Sequence, residues 1–206
     1  MAKTRVGVLI SGRGSNMAAL IAAARSNDYP AEISLVVSDR SDAAGLDLAR
    51  AAGVPTGVVD RRAYGADRGA FEAALQGALD QHRIGLVCLA GFMRLLSDAF
   101  VERWHGRMLN VHPSLLPSFR GLDPHGQALA AGVKISGATV HFVTPEMDAG
   151  PIVAQAAVPV HEGDSVDTLA ARVLTVEHKI YPAALALVAA GRVRIVDGRA
   201  RDGVDA

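Results

Sequence analysis

Residues 5–16 read RVGVLISGRGSN, a β-branched apolar run that ends in a glycine-punctuated turn and opens onto the alanine-rich stretch Asn16–Ser26. A strand that feeds a helix through such a turn is the first unit of a parallel α/β sheet. The chain repeats the unit. ISLVVS (33–38), TGVVD (56–60), IGLVCLAG (84–91) and MLNVH (108–112) read as further strands, and helices are predicted over Asp42–Ala52, Asp67–His82 and Ser97–Trp104. Near-continuous apolar strands, rather than alternating ones, mean that both faces of the sheet are covered. The fold expected is a doubly wound α/β fold with a mostly parallel sheet.

The pattern changes after His112. Residues 113–134 are loop-rich; ISGATVHFV (135–143) and PIVAQAAVPV (151–160) follow as two strands around the turn PEMDAG, and they extend the sheet in antiparallel or mixed fashion. A long helix is predicted over Ser165–Ala190, and the chain ends in a polar tail. With no repeat, linker or low-complexity break, one domain is expected over 1–206, its halves 1–112 and 113–206 meeting at His112.

Composition narrows the classes. The 206 residues are 50% hydrophobic and 20% charged, with 21 basic and 21 acidic side chains, so nothing favours a nucleic-acid or membrane surface. The apolar run Val6–Ile10 is too short for a signal peptide, and no run reaches the roughly 18 apolar residues of a membrane helix. A cytoplasmic protein is expected. Cys88, the single cysteine, lies within LVCLAG and supports neither a disulfide framework nor a cysteine zinc site.

The chemistry concentrates where strands end. Glycines let a ligand approach the backbone, and the free N–H groups of a helix start favour an anion, so Gly14, Ser15 and Asn16 are candidates to hold a phosphate. Ser15 or Asn16 is also expected to cap the helix. Gly12 and Gly14 match the first two glycines of a dinucleotide fingerprint and Asp39 closes the second strand, but Met17 stands where the third glycine belongs. A monophosphate is favoured over a pyrophosphate. Gly91–Arg94 and Asn110–His112 end neighbouring strands, and residues two apart in a strand share a face. Asn110 and His112 are thus expected to point into one cleft with Val111 opposed. Glu146 and Asp148, in the turn 144–151, offer a carboxylate to orient the imidazole, and His141 is a further polar candidate. No GxSxG elbow, HExxH or CxxC is present. The set suits acyl transfer by direct amine attack, with Asn110 and His112 stabilising the oxyanion and His112 handling the proton.

These residues lie in stretches that resemble the phosphoribosylglycinamide formyltransferase family: VLISGRGSN (8–16), VCLAGFMRLLS (87–97), LNVHPSLLPSFRGL (109–122), GATVHFVTPEMDAGPIVAQ (137–155) and EHKIYP (177–182). The resemblance implies formyl transfer from 10-formyltetrahydrofolate, a cosubstrate rather than a bound cofactor, to the amine of glycinamide ribonucleotide in purine biosynthesis. It implies no metal, small-molecule partners only, and a monomer or homodimer. By position it makes Asn110, His112 and Asp148 the catalytic trio, with Asp148 supporting the protonated histidine. It gives the ribonucleotide Gly14, Ser15, Asn16 and Glu177, and the folate Arg68, Met93, Arg94, Leu95, Leu96, Asn110 and Val143. Ser118 and Arg120 depart from the family pattern in a loop beside the site. A formyltetrahydrofolate hydrolase or a methionyl-tRNA formyltransferase-like enzyme is the neighbouring alternative, and a nucleotide-binding module without catalysis is the distant one.

Overall fold

The structure, a computed structural model, describes residues 2–202. Strand β1 (Thr4–Ile10) leads into helix α1 (Ser15–Ala24), β2 (Ala31–Ser38) into α2 (Gly45–Ala51), and β3 (Thr56–Val58) into a 3-10 turn and α3 (Arg68–Gln81). Then come β4 (Leu86–Leu89), α4 (Asp98–Arg103), β5 (Met108–His112) and α5 (Pro124–Ala130). The chain continues through β6 (Ile135–Phe142), β7 (Ile152–Pro159), α6 (Val166–Ala189), β8 (Val193–Val196) and β9 (Arg199–Asp202). Seven strands form one sheet in the order β3-β2-β1-β4-β5-β6-β7, parallel through β5 and antiparallel at β5–β6 and β6–β7. Among the described residues, no helix is long and apolar enough to cross a membrane.

The apolar strands are buried on both faces, as their composition requires. Val6, Val8 and Ile10 of β1 join a core with Met17, Leu20 and Tyr181, while Leu9 joins a second core with Phe71, Leu75 and Leu79 of α3. Gly7 lets α3 lie directly on the sheet, since a Cβ there would come 2.8 Å from Leu79. Helix α6 starts at a capping box between Ser165 and Thr168 and buries a stripe of Leu169, Val173, Glu177, Tyr181 and Leu185.

Several boundaries and two elements differ from the sequence expectation. β3 ends at Val58, because the Asp60 carboxylate accepts from Arg62 N and caps the 3-10 turn. The loop-rich region holds α5, started by Asp123 accepting from Gly126 N, with Pro124 in the first turn. Within the polar tail, residues 193–202 fold as the β8–β9 hairpin around Asp197–Gly198. Strand order reverses between β1 and β4, whereas His112 marks the change from parallel to antiparallel pairing.

Candidate active site

Ligands of open α/β sheets sit beyond the carboxyl ends of the strands, where the order reverses. Two cavities flank that edge. The larger, about 670 Å³, is lined by the 11–16 turn, Gly91, Val111, Pro113, His125 and the α6 residues Ala170, Leu174 and Glu177, among others. The smaller, about 280 Å³, is lined by Arg61, Arg68, Phe71, Met93, Arg94 and Leu95. Met93 contributes to both.

The floor of the larger cavity is the β1–α1 turn. Gly14 has φ +74, and a Cβ on it would lie 2.9 Å from the Cα of Gly45. The turn is braced against α2 by Gly45 N donating to Gly12 O at 3.0 Å. Gly14 itself occupies the cap position, so no side chain caps α1. This corrects the expectation for Ser15 and Asn16: Ser15 begins the helix, and the Asn16 amide instead donates to Glu177 Oε2 at 2.5 Å. The first N–H groups of a helix lack intrahelical acceptors, and here they remain available to an anion. Glu177 lies on the buried stripe of α6, one turn from Val173 and one from Tyr181, and is 7% exposed. Burial raises its carboxyl above the ordinary value, against the opposing Asn16 hydrogen bond.

The end of strand β5 borders the larger cavity through Val111. Leu109 and Val111 belong to the α1–α6 core, and Met108 belongs to the α3 core on the other face. Asn110 and His112 alternate with Val111 and share the Met108 face. They therefore do point the same way, but Val111, not they, lines the larger cavity, and neither of them lines the smaller. Across the antiparallel ladder Asn110 pairs with His141 and His112 with Thr139, which places His141 on the same face.

His112 is 6% exposed, and its Nδ1 lies 3.4 Å from Asp148 Oδ2. Its Nε2 lies 2.9 Å from the Phe119 carbonyl. Asp148 reaches this position from the β6–β7 turn with φ +51, a left-handed conformation that Asp tolerates, and accepts from Gly121 N at 2.9 Å. Its other oxygen is 3.7 Å from His141 Nε2. Glu146, the alternative carboxylate, is exposed and pairs with Arg120 at 2.9 Å. That pair ties the 118–123 loop to the Asp148 turn and accounts for Arg120. Ser118 is exposed, and its carbonyl accepts from Ser114 Oγ at 2.6 Å.

His141 fixes Asn110. Its Nδ1 lies 2.9 Å from Phe142 O, which can only accept, so the proton is assigned to Nδ1. Burial lowers its basicity, which favours the neutral ring. Nε2 is then a lone pair that accepts from Asn110 Nδ2 at 3.2 Å. That assignment settles which end of the amide is nitrogen and leaves its second N–H unused.

On the folate side of the expectation, Arg68 opens α3, lines the smaller cavity and approaches Glu72 at 3.8 Å. Met93, Arg94 and Leu95 line it too, and Met93 and Leu95 are 70% and 67% exposed. Arg94 Nε donates to Asp39, which is fully buried. Leu96 and Val143 line neither cavity and pack on the α3 core. Sequence reasoning missed Glu72, whose buried carboxylate accepts from Ser97 N at 2.6 Å and so anchors the end of the 91–97 loop.

The family model of the formyl transferases matches residues 4–185. Trifunctional purine biosynthetic protein adenosine-3 of Homo sapiens is 53% identical over 94% of this chain, which spans only 19% of that protein's length. Phosphoribosylglycinamide formyltransferase of Escherichia coli is 46% identical over 94% of this chain and 91% of its own. The crystal structure of glycinamide ribonucleotide transformylase 1 from Symbiobacterium toebii superposes with a TM-score of 0.93 at 49% identity, covering 97% of this chain and 94% of that one. Matches of this extent, over a chain whose strand-end residues already read as an acyl-transfer site, show that it belongs to the formyl transferase family, alongside the phosphoribosylglycinamide formyltransferases.

Proposed function

We propose that this protein transfers a formyl group from 10-formyltetrahydrofolate to the amine of glycinamide ribonucleotide, as a cytoplasmic enzyme of purine biosynthesis. The observation that carries the reading is the position of β5. One face of its end borders the larger cavity through Val111, and the other presents Asn110 and His112 with Asp148 3.4 Å away. A phosphate on the Gly14–Asn16 turn with the ribose near Glu177 directs the amine toward Pro113. The folate enters over Arg68 and Met93–Leu95, with Leu96 and Val143 supporting that wall from the core. Both cavities belong to one domain, 1–206, in which 1–112 supplies the phosphate turn and 113–206 the Asp148 turn and α6.

The amine nitrogen attacks the formyl carbon, forming the new C–N bond and placing negative charge on the formyl oxygen. The free N–H of Asn110 Nδ2 donates to that oxygen, held in place by His141. Substrate displaces the Phe119 carbonyl from His112 Nε2, which then donates to the same centre. Collapse breaks the bond to the folate nitrogen, and the proton lost by the amine passes to that nitrogen through His112, with Asp148 balancing the imidazolium charge. Every atom is accounted for without a protein nucleophile, and Cys88 stays out of the chemistry. Its thiol is fully buried and pushed up to about 12 by burial.

Turnover of glycinamide ribonucleotide by His112→Ala tests the reading. A fall of several hundred-fold with an unchanged melting temperature is expected. Near-native turnover refutes the assigned role. Formate released in parallel separates transfer from the hydrolase alternative.

A further inference from the structure

The charges around the larger cavity do not match a phosphate except at one place. Its wall carries two acids, Asp167 in the first turn of α6 and Glu177, which would repel a dianion. His125 also lines the cavity, with a buried Nδ1 that has no partner among the described residues, and burial lowers its basicity. The arginine or lysine that lines the cavity, among the described residues, is Arg13, between Gly12 and Gly14 at the centre of the phosphate turn. Its guanidinium is exposed and has no hydrogen bond or ion pair among the described residues. Arg94, Arg120 and Arg172, by contrast, are held by Asp39, Glu146 and Asp164. The backbone N–H groups of a helix start orient an oxyanion but supply only partial charge, about half a unit.

We propose that Arg13 is the phosphate-reading residue of this cavity, closing over the phosphomonoester dianion of the ribonucleotide from the rim. The inference rests on the function proposed above and adds a specificity-determining side chain to it. A planar guanidinium suits two phosphate oxygens at once, while the backbone of Gly14–Asn16 serves the third. Because the side chain is exposed, its contribution is sensitive to salt.

The test compares Arg13→Ala, Arg13→Lys and native enzyme on glycinamide ribonucleotide and on its dephosphorylated riboside. The expected result is a KM for the ribonucleotide raised about 10- to 100-fold in R13A, a charge-assisted hydrogen bond being lost. R13K should recover part of it, with kcat and the KM for 10-formyltetrahydrofolate near native. With the riboside, the native enzyme and R13A should perform alike. An equal loss on both substrates, or a native KM in R13A, overturns the inference and leaves the formyl transfer reading standing. If the native enzyme transfers no formyl group, calorimetry with ribose 5-phosphate decides separately: Arg13-dependent binding upholds the inference, and binding indifferent to R13A, or none, overturns it.

Discussion

Replacing Asp148 by Asn removes one charge and little else. The amide retains an oxygen for the Gly121 N–H, now 2.9 Å from Oδ2, so the turn keeps its anchor. What disappears is the negative charge 3.4 Å from His112 Nδ1. Unit charges at that distance attract by about 5 kcal/mol at an effective dielectric of 20. Asp148 is only 10% exposed, so solvent screens little of this, while the dipole of the replacing amide restores a part. A net loss of roughly 2–3 kcal/mol in the step where His112 carries the proton corresponds to about 30- to 150-fold in kcat. Asp148 lines neither cavity, so both KM values should stay within about threefold. Single-turnover formyl transfer with saturating substrates reads the chemical step directly, and a thermal melt controls for folding. A D148N enzyme with native single-turnover rate and native stability refutes the idea that this carboxylate supports the imidazolium.

Glu177→Gln should raise the KM for the ribonucleotide yet leave the protein at least as stable at pH 7.5. The native carboxyl holds its proton more tightly than the unfolded one, so this group lowers stability as pH rises above 4.5, and melting curves against pH should show E177Q losing that slope. Cys88 should resist thiol reagents at pH 8 until the protein is unfolded by denaturant, because its thiol is buried and shifted to about 12. Tyr181→Phe removes the hydroxyl that donates to Leu89 O and Leu109 O at 3.0 and 3.1 Å, and chemical denaturation should report a cost of about 1–2 kcal/mol. Gly150→Ala drives a Cβ into the Phe142 carbonyl oxygen, so the turn must shift. A stability loss of about 1–3 kcal/mol with a lowered kcat is expected, and a native kcat would show that Asp148 need not be held there.

The parallel half of the sheet was legible because its strands are buried on both sides and carry runs rich in Val, Ile and Leu. Asn110 and His112 stood out against that background, and their period-2 spacing gave the shared face correctly. Their cleft was misread: Val111 was expected to pack away from it, yet Val111 lines the larger cavity while Asn110 and His112 line neither. Helix α5 was hidden by Pro113, Pro117 and Gly121 upstream, although Asp123–Pro124 is a cap followed by a helix-starting proline. The β8–β9 hairpin was hidden by charge. Its signals were Val193 and Ile195 in alternation and the Asp197–Gly198 turn. Glu177 passed for a surface acid when read alone, but its spacing of four from Val173 and Tyr181 puts it on the buried stripe. Long-range partners such as Glu72 with Ser97, or Arg120 with Glu146, leave no trace in local pattern.

The most direct measurement mixes the purified native protein with 10-formyltetrahydrofolate labelled in the formyl carbon and with glycinamide ribonucleotide, and follows where the label goes. Label appearing in the formylated ribonucleotide, one per folate consumed and with no free formate, is the result expected of amine attack in a site shaped by Asn110, His112 and Asp148. Label appearing as formate, with or without the ribonucleotide present, contradicts it.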